Sequence, residues 1–264
     1  MDLNPEIKFP LEEFGELGYF IAKASNIEPL VDLQSFLVRS IKTYKTKKNN
    51  QDNKDILNNF HTFYSSKESN INKLRMSIMK DIDHSSEIIS VSSKIYNAFQ
   101  DLINSLIGPD ILGQKATNLV IQTPGSFFFS ELHTDAPGNS EFELVIWTPM
   151  VDCYKGKSFY IIDKTNSLKL LDLFRKKKFK TWHDFREASL LYAKEVDVPF
   201  GYALCFWTGL LHGSFINNSS ESRWSFNTRF KNSFSPSGQK DPFQYFSPIR
   251  ISDLTKLGLD YLNY

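Results

Sequence analysis

The chain has 264 residues, 41% of them hydrophobic and 14% aromatic, with 12 Gly and 11 Pro, the composition of an ordered globular protein rather than a disordered or fibrous one. Its 31 basic and 30 acidic side chains leave a net charge of +1, so no global field points to nucleic acid or an anionic membrane, and any anion site must be local. The start, Met1-Asp2-Leu3-Asn4-Pro5, lacks the basic region and apolar run of an export signal, and no stretch approaches a membrane span. The expectation is a soluble cytoplasmic protein in which Cys153 and Cys205 are buried free thiols.

Residues 1 to 27 carry Pro5, Pro10, Gly15 and Gly18 around one short strand, Gly18 to Ala22, suited to a sheet edge. From Glu28 to Thr46 the apolar residues Leu30, Leu33, Leu37, Val38 and Ile41 recur at three and four, which predicts a helix with Pro29 in its first turn. Residues 45 to 55 are polar and read as a solvated loop. Further helices are predicted near 53 to 65, with His61 as a surface or packing residue, and from Ser69 to Lys80. The longest helix is predicted over Ser85 to Ile107. Its apolar face runs from Ile88 through Val91, Ile95, Phe99 and Leu102 to Leu106, with His84 in the cap region and Gly108-Pro109 as the stop.

From Lys115 the pattern changes to eight short β-branched and aromatic runs: 117–122, 126–133, 141–148, 157–162, 195–198, 202–207, 212–216 and 223–231. They fit a jelly roll. The fold class read from this is α+β, a double-stranded β-helix of cupin-like form. One domain is expected: a mainly helical region over 1–114, the core over 115–232 and a C-terminal extension over 233–264. Within the core, 164–195 has helical spacing at Leu168, Leu171 and Phe174 and again at Trp182, Phe185 and Tyr192, predicting two inserted helices. The dense basic run there, Arg175 to Lys178 with Lys180, is either a solvated helix end or a contact for a phosphorylated substrate. His183 follows no strand and has no paired ligand.

Chemistry gathers at the ends of the strand runs. In the segment Glu131-Leu132-His133-Thr134-Asp135, residues two apart in extended chain share a face, so His133 and Asp135 can grip one ion. His212, directly after the apolar run from Phe206, would complete two imidazoles and one carboxylate, which leave three adjacent positions open on an octahedral ion. That is the facial triad of non-haem Fe(II) oxygenases. Eleven residues beyond His212, Arg223 and Ser225 offer a guanidinium fork and a hydroxyl on one strand face, suited to a cosubstrate with a carboxylate tail. Asn118 and Gln122 also share a face and either serve a cosubstrate, support the ligands or give only strand polarity. Trp147 and Trp207 shape the mouth or pack in the core; Glu131 faces the site or solvent; Arg229 shares the face of Arg223 and competes with it as carboxylate anchor.

Four blocks carry a resemblance over roughly residues 115 to 232: Asn118 to Gln122; His133 and Asp135; Val145 to Asp152; and Gly201 to Phe206 running on to His212-Gly213-Ser214, Asn217, Arg223 and Ser225. In order and spacing they resemble the Fe(II)/2-oxoglutarate-dependent oxygenases, in the phytanoyl-CoA dioxygenase-like branch. With Lys157 to Tyr160 they are similar to a subgroup found among bacterial surface-carbohydrate genes. The resemblance implies Fe(II) held by His133, Asp135 and His212. It also implies 2-oxoglutarate with its far carboxylate on Arg223, Ser225 and Ser214, with Asn118 and Gln122 as further contacts, and molecular oxygen as co-reactant. The implied reaction is oxidative decarboxylation to succinate and carbon dioxide coupled to hydroxylation. Asp135 stands where related halogenases carry a small residue, which favours hydroxylation or a related oxidation.

The substrate expected from the resemblance is small and polar: a sugar, nucleotide sugar or glycan precursor. Relatives carry a short Pro-Gly-Ser-His stretch where this chain has its two inserted helices, so those helices are expected to act as a substrate lid. A homo-oligomer is left open. The competing reading is a cupin-type protein that binds a sugar or a metal without redox turnover, in which Arg223 and Ser225 would have no purpose. Metal-dependent hydrolysis lacks a general base other than Glu131.

Overall fold

The strands pair into two sheets, most of them from Ile111 onward, and helices of the first 107 residues lie against the larger one. The structure, a computed structural model, describes residues 11–42, 52–64, 67–83, 90–127, 129–240 and 242–262. Their elements run, in order, α1 (Leu11–Leu17), β1 (Tyr19–Lys23), α2 (Glu28–Lys42), α3 (Asn53–Asn58), α4 (Glu68–Asp83), α5 (Val91–Ala98) and α6 (Gln100–Ile107). There follow β2 (Ile111–Gln114), β3 (Asn118–Gln122), β4 (Glu143–Pro149), β5 (Phe159–Ile161), α7 (Lys164–Arg175), α8 (Trp182–Leu190), β6 (Lys194–Val196) and β7 (Tyr202–Trp207). β8 (His212–Ser214), β9 (Arg223–Asn232), α9 (Pro242–Tyr245), β10 (Phe246–Arg250) and α10 (Asp253–Leu262) complete the chain. No helix of the described residues is long and apolar enough to cross a membrane.

The larger sheet has the order β1-β7-β4-β9-β2-β10, with β3 also paired to β9; the smaller is β6-β5-β8, and every pairing is antiparallel. Strand β9 is long enough to serve β3 along Arg223–Asn227 and β2 along Phe230–Asn232, while β4 covers its other edge. The sheets meet through Phe159 of β5, whose ring lies 5.5 Å from those of Trp147 on β4 and Phe206 on β7. This is the expected double-stranded β-helix. The predicted edge strand is β1, paired with β7.

The stripe on α2 is buried as its spacing demands, with Leu30, Leu33, Leu37, Val38 and Ile41 all at 1% exposure or less. Two expectations fail. The single long helix is broken at Phe99 into α5 and α6, because the carbonyl of Ala98 is taken by the backbone N–H groups of Ser25 and Asn26, at 3.0 and 3.3 Å, and by the Ser25 hydroxyl. Tertiary donors thus occupy an acceptor that a continuous helix would use. Residues 84–89, including His84 and Ile88, lie outside the described residues. The described residues of 126–133 form a loop rather than a strand. The chain turns just before them at Gly125 (φ +67°), and the N–H of Ser130 bonds the side-chain Oγ of Ser214, not a ladder carbonyl, so among the described residues of this run only His133 forms a bridge.

The two inserted helices form as predicted and are capped locally. The Asp163 side chain accepts from Asn166 N, and Thr181 and Asp184 make a reciprocal capping box. Their buried residues Leu170 and Phe185 pack with Tyr160 of the smaller sheet and with Leu132, Ile162 and Leu211 beside it. Cys153 and Cys205 are buried and free.

Candidate metal centre

Two backbone neighbours carry the imidazoles. His133 and His212 exchange both main-chain hydrogen bonds, N to O at 3.0 and 2.9 Å, and this brings their rings to 4.2 Å between centroids. Each Nδ1 lies against the carbonyl two residues back, Glu131 O at 2.7 Å and Leu210 O at 2.8 Å. A carbonyl only accepts, so Nδ1 carries the proton in both rings and Nε2 presents its lone pair. Asp135 follows at the turn, its N–H on Thr208 O at 3.0 Å, and sets Oδ1 3.8 Å from Nε2 of His133. One ligand atom from each of His133, Asp135 and His212 lies within 4.8 Å of the others.

These donors fit a cation. His212 Nε2 and Asp135 Oδ2 are buried acceptors without a hydrogen-bond partner among the described residues. Each such orphan costs roughly 1–3 kcal/mol, which one bound cation would offset for both. Burial, reinforced by His133, pushes the His212 imidazole down to about 4, so it is neutral near pH 7 as a metal ligand must be. For Asp135, burial works to raise the pKa, but the neighbouring His212 and Arg229 outweigh it and hold the carboxyl below the usual carboxylate range. Phe159 stacks on His212 at 5.2 Å and Phe206 meets it edge-on at 4.9 Å, an apolar wall that keeps water from that ligand.

A cavity of about 250 Å³ opens beside the three ligands. Of the predicted site residues, His133, Asp135, His212, Ser214, Arg223 and Asn118 all line it. Arg223 is 3% exposed; its Nη1 donates to the carbonyl of Ser158 at 2.7 Å, and its Nε has no partner. Burial pushes this guanidinium down from its ordinary value, and no carboxylate among the described residues pairs with it. Ser225 and Gln122 are not brought to the cavity wall. Ser225 is buried with its Oγ unpartnered, and Gln122 is buried with Nε2 donating to Phe215 O at 2.8 Å. Glu131 is exposed and serves the site through its backbone carbonyl. Trp147 lines the cavity, whereas Trp207 points its Nε1 at Glu141 O.

Three lining residues were not assigned this role from the sequence. Arg229, weighed there only as a rival to Arg223, donates from Nη2 to Asp135 Oδ1 at 2.6 Å and so orients a ligand. Arg75 reaches the wall from α4, where Nη1 donates to Asn118 Oδ1 at 3.0 Å. Asn227 faces Asn118 in the β3–β9 register and keeps a buried, unpartnered Oδ1. Nothing local marks Arg75, which sits on a polar helix and reaches the site only because α4 packs on β3. The inserted helix α8 contributes Arg186 to a neighbouring cavity of about 260 Å³ that shares Phe129 with the first. The basic run Arg175–Lys180 is exposed apart from half-buried Phe179 and lines neither cavity; His183 is exposed as well.

No family model and no curated protein matches the chain. Solved structures do. A nickel complex of ThoJ, described as a non-heme monooxygenase, aligns at a TM-score of 0.52 and 18% identity over 92% of this chain and 84% of that one. HygX from Streptomyces hygroscopicus, with nickel and 2-oxoglutarate bound, aligns at 0.50 and 10% identity over 91% of this chain and 92% of that one. At such identities the likeness is one of fold, and the chain shares the jelly-roll architecture of these proteins.

Proposed function

We propose that the chain is an Fe(II)- and 2-oxoglutarate-dependent oxygenase that hydroxylates a small polar molecule. The observation that carries this reading is Arg223: a guanidinium at 3% exposure, without a counter-ion among the described residues, in the same cavity as the unpartnered His212 Nε2 and Asp135 Oδ2. A buried charge is costly unless paired, so this cation calls for an anion inside the cavity. The far carboxylate of 2-oxoglutarate supplies one, and HygX, which holds nickel and 2-oxoglutarate, shares the fold. A volume of about 250 Å³ has room for a small molecule.

His133 Nε2, His212 Nε2 and a carboxylate oxygen of Asp135 would hold the iron, with both tautomers fixed by the carbonyls behind them. Iron with 2-oxoglutarate supplies oxidising power toward a C–H bond, with succinate and carbon dioxide as coproducts. Arg229 keeps Asp135 turned toward the ligand set, and Phe159 and Phe206 screen His212 from solvent. Arg223 anchors the carboxylate by its fork, and the Ser214 hydroxyl, which already accepts from Ser130 N at 3.0 Å, retains its own proton to donate. A carbohydrate-linked substrate, as in surface-carbohydrate biosynthesis, rests on the motif blocks around Asn118 and Trp147. The helical region, the core and the C-terminal extension act in this reading as one catalytic unit.

The test is an anaerobic titration of metal-free protein with Fe(II) and then 2-oxoglutarate, following the weak visible charge-transfer band of a chelated 2-oxo acid. The band is expected in the native protein, absent in His133→Ala, and shifted to about 10- to 100-fold higher 2-oxoglutarate in Arg223→Ala. Metal bound without a band would replace this reading with a cupin-like metal- or sugar-binding protein.

A further inference from the structure

We infer that the substrate carries an oxyanion, a carboxylate or a phosphate, and that Arg75 on α4 binds it at the wall of the metal cavity. The inference rests on the oxygenase reading of that cavity and adds a charge to its substrate. Three guanidinium groups line the cavity, those of Arg75, Arg223 and Arg229, against the single carboxylate of Asp135. Iron(II) and doubly charged 2-oxoglutarate cancel each other, and imidazoles bind metal as neutral groups, so the loaded cavity keeps a surplus of positive charge. Glu143 lies in the field of Arg229, but Lys231 and Lys240 face it too, so it does not remove the surplus. A desolvated cavity of one sign draws a ligand of the other.

The partners of the three arginines decide which one is free for substrate. Arg229 is engaged with Asp135 at 2.6 Å, and Arg223 lies deepest, bonded to Ser158 O. Among the described residues Arg75 spends only Nη1, on Asn118 Oδ1, and that bond fixes the plane of its fork. Its Nε is buried without a partner, which leaves the Nε–Nη2 edge, spaced for two oxygens of one oxyanion. On the same cavity wall, across the register from Asn118, the buried Asn227 Oδ1 accepts nothing among the described residues and suits a hydroxyl of the same ligand. An acidic or phosphorylated polyol satisfies both atoms; a neutral sugar satisfies only the second.

Anaerobic calorimetry on the Fe(II)- and 2-oxoglutarate-loaded protein tests this, with inorganic phosphate and acetate as probes. The native protein is expected to bind at least one of them, Arg75→Gln to bind it about tenfold more weakly, and Lys178→Gln, on the exposed basic run, to match the native protein. Phosphate alone or acetate alone identifies the anion class. Anion binding absent from the native protein, or equal in Arg75→Gln, overturns the proposal; equal binding with a displaced charge-transfer band would place the probe on the metal instead. The band itself is expected to be unchanged in Arg75→Gln. Its absence from the native protein would instead strike the oxygenase reading, a result separate from the comparison of the two proteins for anion binding.

Discussion

Arg229 donates to Oδ1 of Asp135 at 2.6 Å while Oδ2 is left free, so the guanidinium decides which carboxylate oxygen faces the ligand set. Replacing it by Gln is expected to leave the fold intact and weaken metal binding by about 10- to 100-fold, the usual effect of removing a group that orients a ligand. A competition titration against a chelator reads this directly. Gly213 acts sterically. A Cβ there would meet Tyr160 Oη at 2.5 Å and the carbonyl of Ser130 at 2.7 Å, and the carbonyl belongs to the segment that delivers His133. Gly213→Ala is expected to cost about 1–3 kcal/mol in thermal unfolding and to spread the His133–His212 bridge, lowering metal affinity as well. The three candidate ligands were legible because their chemistry is local: two lie two residues apart, and one stands at a strand start. Arg75 and the role of Arg229 were not, because each depends on a partner supplied from another element. Ser225 shows the limit of face counting, since it shares the strand face of Arg223 and Asn227 yet is buried outside the cavity lining.

The inserted helices α7 and α8 bear on the site through packing. Leu132 and Leu211, each immediately before a histidine ligand, share one cluster with Leu170 and Phe185, and Ser167 Oγ accepts from Leu211 N at 3.0 Å while donating to Ile162 O at 2.9 Å. The insertion therefore buttresses the ligand-bearing segments, and only Arg186 reaches toward a neighbouring cavity. Phe185→Ala is expected to cost about 3–5 kcal/mol in denaturant unfolding and to weaken metal binding in the protein that remains folded. Unchanged metal affinity would return the insertion to the role of a detachable lid. Helical spacing announced both helices, because their apolar residues recur at the helical period whatever they pack against. The same spacing could not show the break at Phe99: no Gly or Pro stands there, and its cause is a pair of N–H donors on the carbonyl of Ala98, from Ser25, 73 residues before Ala98, and from Asn26 next to it. The strand pattern over 126–133 failed for a related reason, the capture of a ladder donor by a serine side chain.

Across the whole molecule, the helical half is joined to the barrel by buried polar contacts as much as by apolar ones. Trp224 Nε1 donates to Leu57 O, Ser222 N to Asn58 O, and Gln34 Nε2 to Met150 O, and at the surface the half-buried Lys54 pairs with Asp152. At the centre is Lys157, whose buried ammonium donates to Asn58 Oδ1 at 3.0 Å and Glu221 Oε2 at 2.6 Å. Burial works to raise the pKa of Glu221, but the hydrogen bond and charge of Lys157 outweigh it and hold the carboxyl below its ordinary 4.5. A carboxylate with a depressed folded pKa binds fewer protons folded than unfolded. Its contribution is thus fully present above 4.5 and lost as pH falls through the folded value. Resistance to thermal unfolding should therefore fall below that pH. Glu221→Gln should flatten the acid slope and, discounted for a side chain 35% exposed, cost about 1–2 kcal/mol near neutral pH by leaving Lys157 buried and unpaired. Lys157→Met removes the buried charge along with its pair, so it should cost less than Glu221→Gln at neutral pH. If Lys157→Met proved the more damaging, the ammonium would owe its place to Asn58 and the helix it anchors rather than to Glu221.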